Sequence, residues 1–273
     1  MVGRDSARTA WLPLALGLGL TPCVVPVVAT LFSGSQIAGG LASAIVFAGG
    51  GLLPVVGLAI ASACDAPLAF ALGLAATGGL ALLAVAHLMP GYLVASMTVD
   101  LSLVALGWAL GGALGRRVQH ASHLLPACVV AASADLASVL SPEGPSHAIA
   151  RSERALSVLA TWFPVPGAHA VAPALGVGDL VFMGLVFGVA QRHALPYART
   201  AFLCLLGTAL AGAIAAACGF AVPALPAIAL CVLVGLPAAR QLRPAERRTA
   251  RWSMIIACSI ALATIARNFL MRS

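Results

Sequence analysis

Long apolar runs with almost no polar sequence between them are the feature that most constrains this chain. A membrane span needs about 20 mostly apolar residues, and most of the connections here are only a few residues long. The runs lie near 10–32, 37–63, 67–89, 91–115, 124–141, 172–190, 197–221, 222–239 and 252–266. The ninth is short, so it is compatible either with a span or with a helix lying in the membrane interface.

Charged residues are too scarce to cover the surface of a soluble fold. They make up 8% of the 273 residues, and apolar residues make up 61%. Soluble domains carry about 25% charged and 45–50% apolar residues. These values exclude an ordinary cytosolic enzyme, a disordered protein and a disulfide scaffold. We therefore predict an all-α fold, a polytopic transmembrane bundle of about nine helices.

The basic residues predict an orientation. All fifteen are arginines, and five of them cluster within 240–251. If every run spans, eleven arginines fall on one side and four on the other, which places the N-terminus in the cytoplasm by the positive-inside rule. We interpret the net charge of +7 in this way. A lipid-headgroup or RNA site is the less favoured alternative.

Glycine spacing predicts close helix packing. Gly107, Gly111 and Gly115 recur at every fourth residue, as do Gly184 and Gly188. Small residues at this spacing let helix backbones approach each other in lipid.

Three of the five aspartates lie within apolar runs, which makes them candidates for function. A charge at the bilayer centre costs roughly 2.5–3.5 kcal/mol or more. Asp100 is near the end of its run, where we expect water to reach it. Asp135 and Asp179 lie deeper, on consecutive spans that can place their carboxylates side by side. Such a pair shares one proton. It can activate a water against a peptide carbonyl, or it can shuttle protons or bind a cation.

Two irregular segments accompany these aspartates. Gly176 and Gly178 precede Asp179 and leave room for water or a substrate backbone. The segment Pro223-Ala224-Leu225-Pro226 prevents a regular helix and leaves backbone carbonyls unpaired. At membrane depth such backbone is tolerated where protein covers it or where it lines a wet cavity.

The order of these motifs resembles a known family. Asp135, the Gly176-Val177-Gly178-Asp179 segment and Pro223-Ala224-Leu225 follow one another at steps of 44 residues, and Asp135 opens the stretch Asp-Leu-Ala-Ser-Val-Leu-Ser-Pro-Glu-Gly-Pro. This set is similar to the presenilin-type GxGD intramembrane aspartyl proteases, which include presenilins, signal peptide peptidases and archaeal relatives. The similarity covers roughly 124–239. Val99-Asp100, with Trp108 and Gly111, is a weaker match to the presenilin fourth helix.

The resemblance implies an intramembrane endopeptidase that cleaves transmembrane or signal-peptide-like helices. Asp135 and Asp179 would be catalytic. Five further residues would accommodate the substrate: Gly176, Gly178, Pro223, Ala224 and Leu225. No metal or organic cofactor is expected, because the two carboxylates supply both acid and base. The expected partners are helical substrates and the lipid bilayer, with no nucleic acid.

The chain also departs from the family pattern. Ala134 stands where the family usually has Tyr, and five runs precede residue 142 where presenilins have six spans. With five spans the arginine count orients the core like signal peptide peptidases. A proton-coupled transporter or channel, a prepilin-peptidase-like GxGD protease and an inactive presenilin-like scaffold stay open. Prepilin peptidases usually carry a basic residue soon after that Asp, whereas Leu180 follows it here.

We expect three regions. Residues 1–123 hold about four N-terminal transmembrane helices, 124–239 form the catalytic core, and 240–273 form a basic segment with a possible extra helix. The 142–171 segment is predicted to be an extramembrane loop that gates the site, since it joins the two Asp-bearing runs. Arginine without lysine and abundant alanine indicate a GC-rich prokaryotic genome, and hence a multi-pass protein of the inner (cytoplasmic) membrane.

Overall fold

The computed structural model describes residues 12–20, 24–25, 27, 31, 45–63, 68–88, 93–141, 144–165, 171–218 and 222–270. These residues are 85% helical, which confirms the prediction of a helical fold. The first predicted run, 10–32, is described in part, and its residues 12–20, 24–25, 27 and 31 are helical.

Ten helices and one β-hairpin follow residue 44 in the described part of the chain. The helices are α1 (Ile45–Ser62, with a π-helical turn at Ala48–Leu52), α2 (Leu68–Leu88), α3 (Leu93–Leu106, continued by a π-helical turn Gly107–Gly111 and by Gly112–Arg117), α4 (Leu124–Leu140), α5 (Pro145–Arg151), α6 (Glu153–Leu159), α7 (Val177–Arg192), α8 (Tyr197–Cys218), α9 (Ala224–Gly235) and α10 (Arg247–Leu270). The strands are β1 (Ala160–Pro164) and β2 (Val171–Gly176), and 3₁₀ turns lie at Ala121–His123 and Pro237–Arg240.

Four helices in the described ranges are long and apolar enough to cross a membrane. They are Ile45–Ser62, Ala95–Arg117, Ala121–Leu140 and Tyr197–Cys218. The apolar segments of α2 and α9, Phe70–Ala84 and Ala224–Gly235, are shorter than a span. The fold is therefore that of a helical membrane protein, and the count of nine spans stays a prediction.

The predicted span 172–190 is wrong in its first third. Val171–Gly176 forms strand β2, and helix α7 begins only at Val177. A short apolar run is compatible with a strand as well as with a buried helix, and Pro173 disfavours a helix interior. The predicted loop 142–171 likewise contains α5, α6 and β1.

The chain divides into two compact units. One comprises Met1–Arg116 and Arg154–Arg192, and the other comprises Arg117–Glu153 and His193–Ser273. The sequence predicts three regions with boundaries at 123 and 239. That division is based on expected function and not on contacts, so it stays a prediction.

Helices α3 and α7 of the first unit meet along their glycines, which confirms the packing predicted from the spacing. A Cβ atom added to Gly107 would lie 2.9 Å from the carbonyl oxygen of Leu180, and one added to Gly188 would lie 2.6 Å from that of Gly112. Backbone that approaches this closely leaves no room for larger side chains.

The β-hairpin of the first unit packs against the π-helical turn of α1. The strands are antiparallel, with Trp162 paired to Pro173 and Ala160 paired to Gly176. A Cβ atom on Gly50 would lie 2.6 Å from the Cβ of Ala174. Pro173 is tolerated because a two-stranded sheet gives each strand a free edge.

The second unit contains α4, α8, α9 and α10. Helix α8 approaches α9 at Gly207, where an added Cβ would lie 2.5 Å from the Cα of Ile228. The Ser133 hydroxyl on α4 lies 3.6 Å from the Cys258 sulfur on α10. Phe202 and Leu230 are largely exposed, as expected of side chains that face lipid.

Candidate functional site

Asp135 lies on α4, half-buried, and bonds to the start of α9. Its Oδ2 accepts a hydrogen bond from the backbone N–H of Leu225 at 3.1 Å, across 90 residues of sequence. Two of the motifs singled out in the sequence, the first Asp and the Pro-Ala-Leu segment, are therefore in direct contact.

The Pro-Ala-Leu segment explains why the Asp135 carboxylate binds at the start of α9. Pro223 caps α9 in an extended conformation, so the helix begins at Ala224. The first turn of a helix leaves its N–H groups without intrahelical partners. Pro223 and Pro226 have no N–H to satisfy, which leaves those of Ala224 and Leu225. Asp135 satisfies that of Leu225, and its charge complements the positive end of the helix dipole.

Asp179 lies in the first turn of α7, at the junction with β2. Its Oδ2 accepts a hydrogen bond from the backbone N–H of Gly176 at 3.1 Å. Gly176 ends the strand and precedes the helix, so the contact is the carboxylate half of a capping box. The expectation that Asp179 lies deep within a span is wrong, because strand β2 occupies the beginning of that run.

The glycines beside Asp179 differ from each other. Among the described residues nothing lies within 4 Å of a Cβ added to Gly178, whereas one added to Gly176 would lie 3.4 Å from the Asp179 Oδ2. Gly178 is exposed. The predicted room next to Asp179 is therefore on the Gly178 side.

The seven predicted site residues divide between the two units. Gly176, Gly178 and Asp179 belong to the first unit. The second unit holds Asp135 with Pro223, Ala224 and Leu225. Contacts within each set are established, and the pairing of the two carboxylates stays a prediction.

Asp100 is inaccessible, contrary to the expectation that water reaches it. The side chain is 0% exposed, and its Oδ1 accepts a hydrogen bond from the backbone N–H of Trp162 at 2.7 Å. The sequence could not indicate this, because the partner is 62 residues away on β1. Asp100 therefore supports the hairpin.

Thr161 is a second support for the hairpin, one that sequence reasoning missed. Its hydroxyl donates to the carbonyl oxygen of Gly50 at 2.6 Å and accepts the N–H of Leu175 at 3.0 Å. One buried side chain thus joins β1, β2 and α1. A lone Thr in an apolar run is not a distinctive signal, so only the fold could identify it.

A cluster of His120, His123 and Glu246 lies in the second unit. The Nε2 atoms of the histidines are 3.6 Å and 3.1 Å from the Glu246 oxygens. In the described part of the chain, no group of three or more His, Cys, Asp or Glu side chains is arranged to hold a metal ion. The two contacts connect the segment before α4 to the segment that follows α9.

Comparison with known proteins adds no family assignment: no protein-family model, no curated protein and no solved structure matches the chain.

Proposed function

We propose that this protein is an intramembrane aspartyl endopeptidase in which Asp135 and Asp179 are the catalytic pair. The observation that carries the proposal is the hydrogen bond between Asp135 and Leu225. The motif order led us to expect that the first Asp and the Pro-Ala-Leu segment act together, and they are in contact although 90 residues separate them.

The position of Asp179 supports the same proposal. It follows β2 directly, and among the described residues β2 pairs with β1 alone, which leaves its other edge for an added strand. An unwound substrate that adds to this edge would be held by backbone hydrogen bonds. Its chain would then run towards Gly178 and Asp179. Cleavage of a helix requires such unwinding, since a helical peptide bond is enclosed by its own turns.

The proposed chemistry needs only the two carboxyl groups and one water. The ionised carboxylate takes a proton from the water as the water oxygen adds to the scissile carbonyl carbon. The protonated carboxyl donates its proton to the carbonyl oxygen. The tetrahedral intermediate then collapses: the carboxyl that took the water proton gives it to the leaving nitrogen, the C–N bond breaks, and one hydroxyl proton of the intermediate passes to the other carboxylate. The products are an acid and an amine, and the pair again shares one proton.

Asparagine substitutions separate catalysis from helix capping. An amide oxygen accepts a hydrogen bond as a carboxylate does, but it cannot exchange protons at neutral pH. We expect Asp135→Asn and Asp179→Asn each to lower cleavage of a helical reporter substrate by about a thousandfold or more. The purified full-length protein should unfold near the wild-type temperature in both variants.

The matched control is Glu153→Gln, which neutralises an exposed carboxylate at the start of α6. It should cleave at the wild-type rate. Cleavage that survives either Asp→Asn substitution would contradict the mechanism. Absence of cleavage in the wild type, together with a proton flux into proteoliposomes that both variants lose, would indicate a transporter.

A further inference from the structure

The proposed proteolysis leaves the arginine-rich segment 240–251 without a role. It carries five arginines, all exposed: Arg240, Arg243, Arg247, Arg248 and Arg251. The positive-inside rule accounts for basic residues on one side of a membrane. It does not account for their concentration in one short segment or for their arrangement along a helix.

The arginines of this segment have no carboxylate partner in the part of the chain that the structure describes. Glu246 is the single acidic residue of this segment, and it pairs with His120 and His123. Among the described residues none of these five arginines forms an ion pair with a carboxylate, and the Arg247 Nε donates to the backbone carbonyl oxygen of Leu242 at 3.3 Å. The positive charge of the segment is therefore not compensated by acidic side chains there.

Three of these arginines form a stripe on successive turns. The N–H of Arg247 donates to the carbonyl oxygen of Arg243 at 3.1 Å, which extends the helical spacing back to that residue. Arg243, Arg247 and Arg251 are thus four residues apart on one face. We call these three residues the basic stripe.

The basic stripe is unfavourable for the helix by itself. Helix α10 begins with Arg247 and Arg248, and arginines there oppose the positive end of the helix dipole. Like charges four residues apart also destabilise a helix. An anion bound at the stripe would relieve both effects.

The surface next to the basic stripe is apolar, which points to one class of anion. Ile255 follows Arg251 by four residues and is 53% exposed, and Leu262 follows Ile255 by seven residues on the same side of the helix and is 67% exposed. Trp252 is 58% exposed near the same end of the helix. Tryptophan is enriched at the level of lipid headgroups. The same helix therefore presents guanidinium groups at one end and an apolar face beyond them, as a phospholipid requires.

We propose that the basic stripe binds the headgroup phosphate of an anionic phospholipid, whose acyl chains lie along Ile255 and Leu262. Arginine suits this role because its planar fork donates two hydrogen bonds to one phosphate. The site is independent of the aspartates and of the proposed cleavage.

The test uses the full-length protein in a non-ionic detergent with added phosphatidylglycerol or phosphatidylcholine of identical chains. Native mass spectrometry counts bound lipid. A basic residue near an anionic headgroup contributes about fivefold in affinity. We expect at least tenfold tighter binding of phosphatidylglycerol, with the preference lost in the triple variant Arg243→Gln, Arg247→Gln and Arg251→Gln.

The control removes the same charge elsewhere, through Arg151→Gln, Arg154→Gln and Arg199→Gln. All three residues are exposed, and Arg199 lies in the first turn of α8. This variant should keep the preference. Without lipid, the basic-stripe variant should unfold at or above the wild-type temperature. If the triple variant fails to fold, Arg247→Gln alone should weaken binding by about fivefold.

Four outcomes would overturn the proposal. They are equal binding of both lipids, an equal loss in the control variant, displacement of the lipid by inorganic phosphate at the same concentration, and displacement by an RNA oligonucleotide. The third would indicate a site for free phosphate, and the fourth a nucleic-acid surface.

Discussion

The three aspartates of the apolar runs occupy two kinds of site, and the difference separates a structural carboxyl group from candidate catalytic ones. Asp100 is fully buried on α3 and bonds to the middle of a strand. Asp135 and Asp179 are half-buried and bond to backbone N–H groups at the start of a helix. If burial alone were the criterion, Asp100 would be the functional candidate, because its carboxylate has the largest desolvation cost. Access for water, which hydrolysis requires, selects the other two.

Of the three aspartates, we expect substitution of Asp100 to lower the free energy of unfolding most. Asp100→Ala leaves the buried N–H of Trp162 without an acceptor, so we expect a loss of about 2 kcal/mol in the free energy of unfolding. Asp100→Asn keeps an acceptor and should lose less than half of that. Reversible unfolding in mixed micelles measures both. Equal losses for Ala and Asn would show that the hydrogen bond to β1 is not what Asp100 contributes.

A smaller loss is expected at Asp135. Asp135→Ala removes the acceptor for Leu225 at the start of α9, a contact that is only partly shielded, so the loss should be about 1 kcal/mol. Asp135→Asn should restore most of the stability while cleavage stays abolished. The same unfolding assay, run beside the cleavage assay, separates the two roles. Stability that fails to recover in Asp135→Asn would argue against the capping contact.

The smallest loss is expected at Asp179. Its capping bond to Gly176 lies within four residues of chain, and removal of such a cap costs about 0.5–1 kcal/mol. Asp179→Ala should therefore destabilise the protein less than Asp135→Ala, although both abolish cleavage in the proposed mechanism. A larger loss at Asp179 would reverse the ranking and would indicate that this carboxylate supports more of the fold than its own helix.

Sequence reasoning recovered the features that depend on local pattern. The apolar runs predict α1, α4 and α8, and the spacing of Gly107, Gly111 and Gly184 predicts close helix packing, which the structure shows between α3 and α7. These features follow from composition and from the helical period alone. The link between Asp135 and the Pro-Ala-Leu segment was inferred from motif order, and the contact is consistent with it.

Features that depend on distant partners were missed. Strand β2 was assigned to a span because an apolar strand in a membrane protein has the composition of a helix. The hydrogen bonds of Asp100 and Thr161 join residues 62 and 111 positions apart. No local pattern encodes such pairs.

Because α7 follows β2 directly, the register of β2 against β1 fixes the position of Asp179. Gly176 pairs with Ala160 in the hairpin and also precedes the first turn of the helix. A shift of β2 by one residue would turn its side chains to the opposite face and would move the helix start by about 3.3 Å. An added residue inside Val171–Gly176 should therefore misplace the carboxylate even though every predicted site residue is retained. Sequence length between Pro173 and Asp179 is consequently as constrained as residue identity.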